Sequence, residues 1–259
     1  MENSRFLECL AADYSRIREI VPGHLESSVP SCPEWTVGDL TRHVGQVYLH
    51  KVEAMRTGVE PEEWPPAGLQ DEDPVKLLDR SYAELVGEFA GRRSSDVAGS
   101  WYKPDQTVGF WIRRMAQETV VHRIDAELGV GVPVDRIPDD LAIDGVDELL
   151  KVFVSYSVSE WGDYFTEALA DSPGRSYAIN TDGVSWLVGT SPGRFSFGGG
   201  PGMTVPGYVN TDVTISGPPA ALLRWAWGRE TPGEPSGVTI EGDPEALAEF
   251  RRCVVIATQ

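Results

Sequence analysis

Glu118 and His122 stand four residues apart in the stretch TVGFWIRRMAQETVVHRIDAEL. In a helix that spacing puts both side chains on one face, where they can converge on a single ion. The pair alone is weakly specific, because Glu-x3-His on an amphipathic helix is commonly a surface pair or a hydrogen-bonded histidine. His43 could complete a ligand set, provided that its own helix faces that of Glu118 and His122. Two imidazoles and one carboxylate are donors that zinc accepts at catalytic sites, with a fourth position left open. Nickel, iron and cobalt accept the same set. His24 sits in a Pro/Gly loop, and His50 follows His43 by seven residues, about 10 Å along a helix axis, so neither reaches the same ion.

These residues must be positioned by helices. Phe6, Leu10, Ile17 and Ile20 recur at helical spacing and predict a first helix of about four turns, ended by breakers from Pro22 to Pro33. Thr36 with Asp39 three residues on resembles a capping box, and Leu40, Val44, Val47 and Val52 continue a helical stripe that contains His43. Pro74 can open a third helix carrying Leu78, Tyr82, Leu85 and Phe89. A fourth, from about Thr107 to Leu128, ends at Gly129 and Gly131 and carries Glu118 and His122. Four helices separated by loops predict an up-and-down bundle.

Beyond Pro138 one more helical region is expected through LAIDGVDELLKVFVSYSVSEWGDYFTEAL, after which the pattern breaks into short segments. RSYAIN, VSWLVG, RFSFGG, DVTISG and GVTIEG have the β-branched and aromatic content of strands, with TDG and SPG as turns. PAALLRWAWG and DPEALAEFRR read as helices, and CVVIAT as a last strand. The run GGGPGM lacks the Lys-Ser/Thr of a phosphate loop and reads as a turn. The expected class is α+β in two domains, a helical bundle over 1–170 and a small mixed α/β domain over 171–259.

Bulk properties exclude several function classes. A formal net charge of −18, with no run of Lys and Arg, would repel a phosphate backbone. No apolar stretch is long enough to cross a bilayer and the N-terminus has no signal-peptide core, so a cytoplasmic protein is expected. Three widely spaced cysteines, Cys9, Cys32 and Cys253, suggest reduced structural thiols and no disulfide framework.

Two separated motifs are similar to the mycothiol-dependent maleylpyruvate isomerase family, whose N-terminal domain belongs to the DinB-like metal-binding four-helix bundles. VPSCPEWTVGDLTRHVG at 29–45 resembles its Cys-Pro-x-Trp-Thr-x-x-Asp-Leu-x-x-His signature, and ETVVHRIDAE at 118–127 its Glu-x3-His-Arg-x-Asp-Ala segment. ISGPPAALLRWAWGRE and VTIEGDPEALAEF resemble the second domain, so the likeness spans most of the chain. Gln117 departs from relatives that carry another histidine there, outside the ligand set.

The resemblance implies metal ligands at His43, Glu118 and His122, and a low-molecular-weight thiol, mycothiol in relatives, whose sulfur takes the open position. A metal-bound thiol is deprotonated. The resulting thiolate could isomerise an enone acid by addition, rotation and elimination, or could undergo S-transfer. Arg123 and Asp125 could hold ligand carboxylates or orient His122, or could form an exposed helix ion pair. Trp35 could contact the cofactor or pack at the helix entry. Arg229 could reach an anionic substrate or cap its helix. The alternatives are a hydrolase using metal-bound water, which no HExxH arrangement supports since Arg114 occupies the preceding turn, and a non-catalytic metal-binding DinB-like protein.

Overall fold

The structure is a computed structural model and describes residues 1–203 and 210–258. The chain divides into two compact units, Met1–Arg136 and Ile137–Gln259. Residues 137–170, expected with the bundle, lie in the second unit, because the helical stretch there packs on that unit's own sheet and helices.

The first unit is a four-helix bundle of α1 (Asn3–Ile20), α2 (Val37–Thr57), α3 (Pro74–Ala90) and α4 (Val108–Val130). Helix α2 packs on α3 and α4, and α1 on α4 and α3, so each helix has two partners. Local signals set the ends. At the start of α2, Thr36 Oγ1 accepts from the Asp39 amide at 3.1 Å while Asp39 Oδ2 accepts from the Thr36 amide at 2.9 Å. Both partners of the box are thus satisfied. Asp73 caps α3, whose first residue is Pro74, and Thr107 caps α4. Gly131, at φ 79°, closes α4 in the left-handed region that favours glycine. Helix α4 is buried nearly all round, which makes it the central element of the bundle.

The breaker-rich stretch before α2 forms an antiparallel hairpin of β1 (Ser28–Val29) and β2 (Cys32–Thr36), turned by Pro30 and Ser31. It was expected only as a loop. The hairpin seats on the C-terminal end of α4 at Gly129. A Cβ there would lie 2.8 Å from Val37 Cγ2 and 3.3 Å from the Ser28 carbonyl oxygen, so only glycine permits the approach.

In the second unit, α5 (Asp139–Glu148) runs into a π-helical stretch, Leu149–Ser155, then α6 (Tyr156–Glu160), a 3-10 turn and α7 (Thr166–Leu169). The strands β3 (Arg175–Thr181), β4 (Val184–Ser191), β5 (Arg194–Gly199), β6 (Val213–Ser216) and β7 (Thr239–Gly242) form one sheet in the order β5-β4-β3-β6-β7. Among the described residues only the β3–β6 pair is parallel. Helices α8 (Pro219–Trp227) and α9 (Pro244–Thr258) complete the unit. The CVVIAT segment is therefore helix, not strand. Ala246, Glu249, Phe250, Cys253 and Val254 are buried at helical spacing, and this periodicity overrides the β-propensity of the Val-Val-Ile run.

Candidate metal centre

Helices α2 and α4 face each other, and a hydrogen bond sets their register: Tyr48 OH and Thr119 Oγ1 lie 2.6 Å apart in the buried interface. One residue before Thr119, and just over one turn before Tyr48, the interface carries Glu118 and His43. His43, Glu118 and His122 each offer a donor atom, and these atoms all lie within 4.8 Å of one another. Glu118 Oε1 is 3.1 Å from His122 Nε2 and 3.5 Å from His43 Nε2. The two imidazole rings meet edge to face at 5.0 Å between centroids.

Each side chain on α4 is held from behind. His122 Nδ1 lies 3.0 Å from Asp125 Oδ2, and Asp125 Oδ1 accepts from Ser31 Oγ at the hairpin tip. The second oxygen of Glu118 is ion-paired with Arg114, one turn earlier. These partners leave His122 Nε2 and Glu118 Oε1 directed at the cluster. Side-chain exposure rises from 10% at His122 through 16% at Glu118 to 36% at His43, so the cluster opens on the His43 side. The Trp35 ring stands there, 4.8 Å from the His43 ring and tilted by 51°.

The electrostatics follow from this arrangement. Burial opposes charge on His122, but the Glu118 carboxylate and the hydrogen bonds to Asp125 and Glu118 outweigh it and raise the imidazole to about 9. Burial likewise pushes Glu118 up, yet His122 and Arg114 hold its carboxyl well below the usual range. Without a metal, the site is thus an imidazolium–carboxylate pair.

The donor chemistry fits a divalent metal. Ligand bonds of about 2.0–2.2 Å in a tetrahedron place neighbouring donors roughly 3.3 Å apart. The 3.1 and 3.5 Å separations from Glu118 lie on either side of that value, and the three donors together span up to 4.8 Å, so the two imidazoles would draw closer on an ion. The carboxylate on the far nitrogen of His122 is the arrangement that metal-ligating histidines commonly have.

The other sequence candidates are placed differently. Asp125 and Trp35 adjoin the cluster. Arg123 does not: its Nε lies 2.8 Å from Asp13 on α1 and its Nη1 2.7 Å from Glu127, which makes it a buried cross-link between α1 and α4. Arg229 lies in the second unit, where its Nη1 donates to the Trp227 carbonyl at 2.6 Å beside the left-handed Gly228, as a C-terminal cap does. His50 packs edge-on against Trp64, and burial, helped by Lys51, lowers its imidazole to about 4. Ser31 and Arg114 were not foreseen. A serine in a two-residue turn carries no signal without the pairing of the strands, whereas Arg114 four residues before Glu118 was open to the helical-spacing argument.

Residues 8–127 match the family model of the mycothiol maleylpyruvate isomerase N-terminal domain, and residues 140–249 that of the MDMPI C-terminal domain. No curated protein matches the chain. Among solved structures, the mycothiol-dependent maleylpyruvate isomerase superposes with a TM-score of 0.61 at 16% identity, over 93% of each chain. A histidine-to-alanine variant of that isomerase superposes at 0.62, with the same identity and coverage. At this identity the superpositions show a shared fold. Two family models, matched in chain order and with His43, Glu118, His122 and Asp125 all inside the first, show that this chain belongs to the mycothiol-dependent maleylpyruvate isomerase family.

Proposed function

We propose that the chain is a metal-dependent enzyme that uses a low-molecular-weight thiol such as mycothiol as a nucleophile on a small electrophile. The outcome is thiol-dependent cis-trans isomerisation, or S-transfer where the adduct is retained. The observation that carries this reading is the convergence of His43, Glu118 and His122, open on one side only. Zinc suits the nitrogen-rich donors and their spacing. When bound, such an ion holds a coordinating thiol as thiolate at neutral pH, so no protein base is needed.

The chain's own residues prepare that chemistry. Asp125 keeps the proton on Nδ1 of His122 and so presents Nε2 as the donor. Arg114 fixes Glu118 through its second oxygen, which leaves Oε1 for the ion. Trp35 stands on the open side against the His43 ring. Trp35 is the side chain best placed to meet the thiol cofactor, whereas Asp125, expected to contact it, is fully buried behind His122 and acts through that ring. Arg229 stays a candidate for an anionic substrate group, in competition with its capping role. Among the described residues no cysteine is in a disulfide, and the net charge of −18 disfavours nucleic acid as a partner. Among the described residues no helix is long and apolar enough to cross a membrane.

The test is to measure bound metal on the purified chain and then titrate the cobalt-substituted protein with mycothiol. One metal per chain and a thiolate charge-transfer band are expected. A metal-loaded protein whose spectrum ignores mycothiol and every other small thiol would overturn the reading.

A further inference from the structure

Asp125 has a fully buried side chain, and its two oxygens point to different partners, His122 on one side and Ser31 on the other. Held only by the histidine, a carboxylate can turn about its terminal bond and carry the imidazole with it. A second hydrogen bond on the opposite oxygen fixes its plane. Ser31 supplies that bond from the two-residue turn between β1 and β2. The same short segment continues through Trp35, beside His43, to the capping box and His43 itself, so one stretch of chain bears on the cluster indirectly through Asp125 and directly at His43. Gly129 is one helical turn beyond Asp125 and seats this hairpin against α4 without an intervening side chain.

We infer that Ser31 is a positioning residue of the metal centre, which acts through Asp125 to aim the ligating nitrogen of His122. This rests on the metal reading above and extends it beyond the groups that adjoin the ion. The competing role is that of an ordinary turn serine satisfied by a nearby acid. The two roles differ in what a lost hydroxyl does at a distance.

The experiment uses the full chain with Ser31→Ala, Ser31→Thr, Asp125→Asn and the Ser31→Ala/Asp125→Asn double variant. Zinc affinity is measured by competition with a chromophoric chelator. Ser31→Ala should weaken zinc about tenfold, and Asp125→Asn by about tenfold to a hundredfold. Ser31→Thr, which keeps the hydroxyl, should restore affinity to within about twofold of wild type. The double variant should be no weaker than Asp125→Asn alone, because both changes cut one path. Unchanged affinity in Ser31→Ala, or losses that multiply in the double variant, would overturn the inference.

A second readout needs no metal: the His122 Nδ1 proton, seen by nitrogen-15 NMR of the metal-free chain. It should be sharp and slow to exchange in wild type and Ser31→Thr, and broadened in Ser31→Ala. An unchanged signal in Ser31→Ala overturns the role of Ser31. A wild type that binds no zinc instead removes the metal reading, and the ring proton still decides on Ser31.

Discussion

His122 and Arg123 are consecutive on α4, yet they belong to charge clusters of opposite character. Arg123 closes a buried network with Asp13, Glu127 and, through Glu127, Arg16 at 3.0 Å. His122 belongs to one that is open toward His43. At Asp13 burial wins, and the carboxyl is raised to about 6 although Arg123 pulls it down. At Glu118 burial loses to His122 and Arg114 together, and the carboxyl is lowered. One shared cation does not offset the desolvation of a buried acid; two adjacent ones do. The closed cluster therefore serves the fold, while the open one holds a carboxylate ionised for a ligand to use.

The largest effect is expected on the open side. His122→Ala should abolish stoichiometric metal, read by elemental analysis, while the metal-free variant keeps a cooperative unfolding transition. Full retention of metal would dissolve the contrast. On the closed side, Arg123→Met strips the partner from two buried acids and should cost about 3–5 kcal/mol in urea unfolding. The metal content of the folded fraction should stay the same. A loss of metal at constant stability would place Arg123 at the centre after all.

pH should separate the clusters next. His122 rises from 6.5 unfolded to about 9 folded, so its stabilisation of the metal-free chain is complete below pH 6.5 and is lost as pH climbs through 9. The loss amounts to about 3.5 kcal/mol at most, at roughly 1.4 kcal/mol per unit. Asp13, raised from 3.8 to about 6, adds a lower window of the same sign, complete below 3.8 and lost through 6. Urea midpoints should fall across both windows. His122→Gln should flatten only the upper one and Asp13→Asn only the lower; a level profile from 6.5 to 9 in wild type would refute the imidazolium assignment. The smallest effect belongs to the entry of α2, where Thr36→Ala should cost about 1 kcal/mol with the metal retained.

The elements that carry His43, Glu118 and His122 were legible because their signals are local. The Thr36–Asp39 box, Pro74 and the glycine after α4 each act within a turn of the boundary they set. The Glu118–His122 pair was legible from helical spacing alone. His43 was not, since its place depends on the packing of α2 against α4, which residues such as Tyr48 and Thr119 decide across the interface. Arg123 was named for the site, but its ion pair with Asp13 could not be read, because helical position shows which face a side chain occupies relative to its neighbours and not what lies opposite. Its partner Asp13 is far away in sequence on α1. The end of α9 was mistaken for a strand because CVVIAT is rich in β-branched residues, and only the period that it continues from Ala246 reveals the helix.

Gly129 has a consequence for how this centre could drift. The hairpin rests on α4 through the Ser28 carbonyl and a methyl of Val29, beside a methyl of Val37 at the start of α2, at a spot with no room for a Cβ. A methyl inserted there would act as a shim and tilt the segment that bears Ser31, Trp35 and His43 by unequal amounts along its length. Metal coordination tolerates errors of only tenths of an ångström. The clearance beneath a hairpin would thus become a tolerance on a bond elsewhere, if the proposed ion binds, set by a residue remote from the three donors.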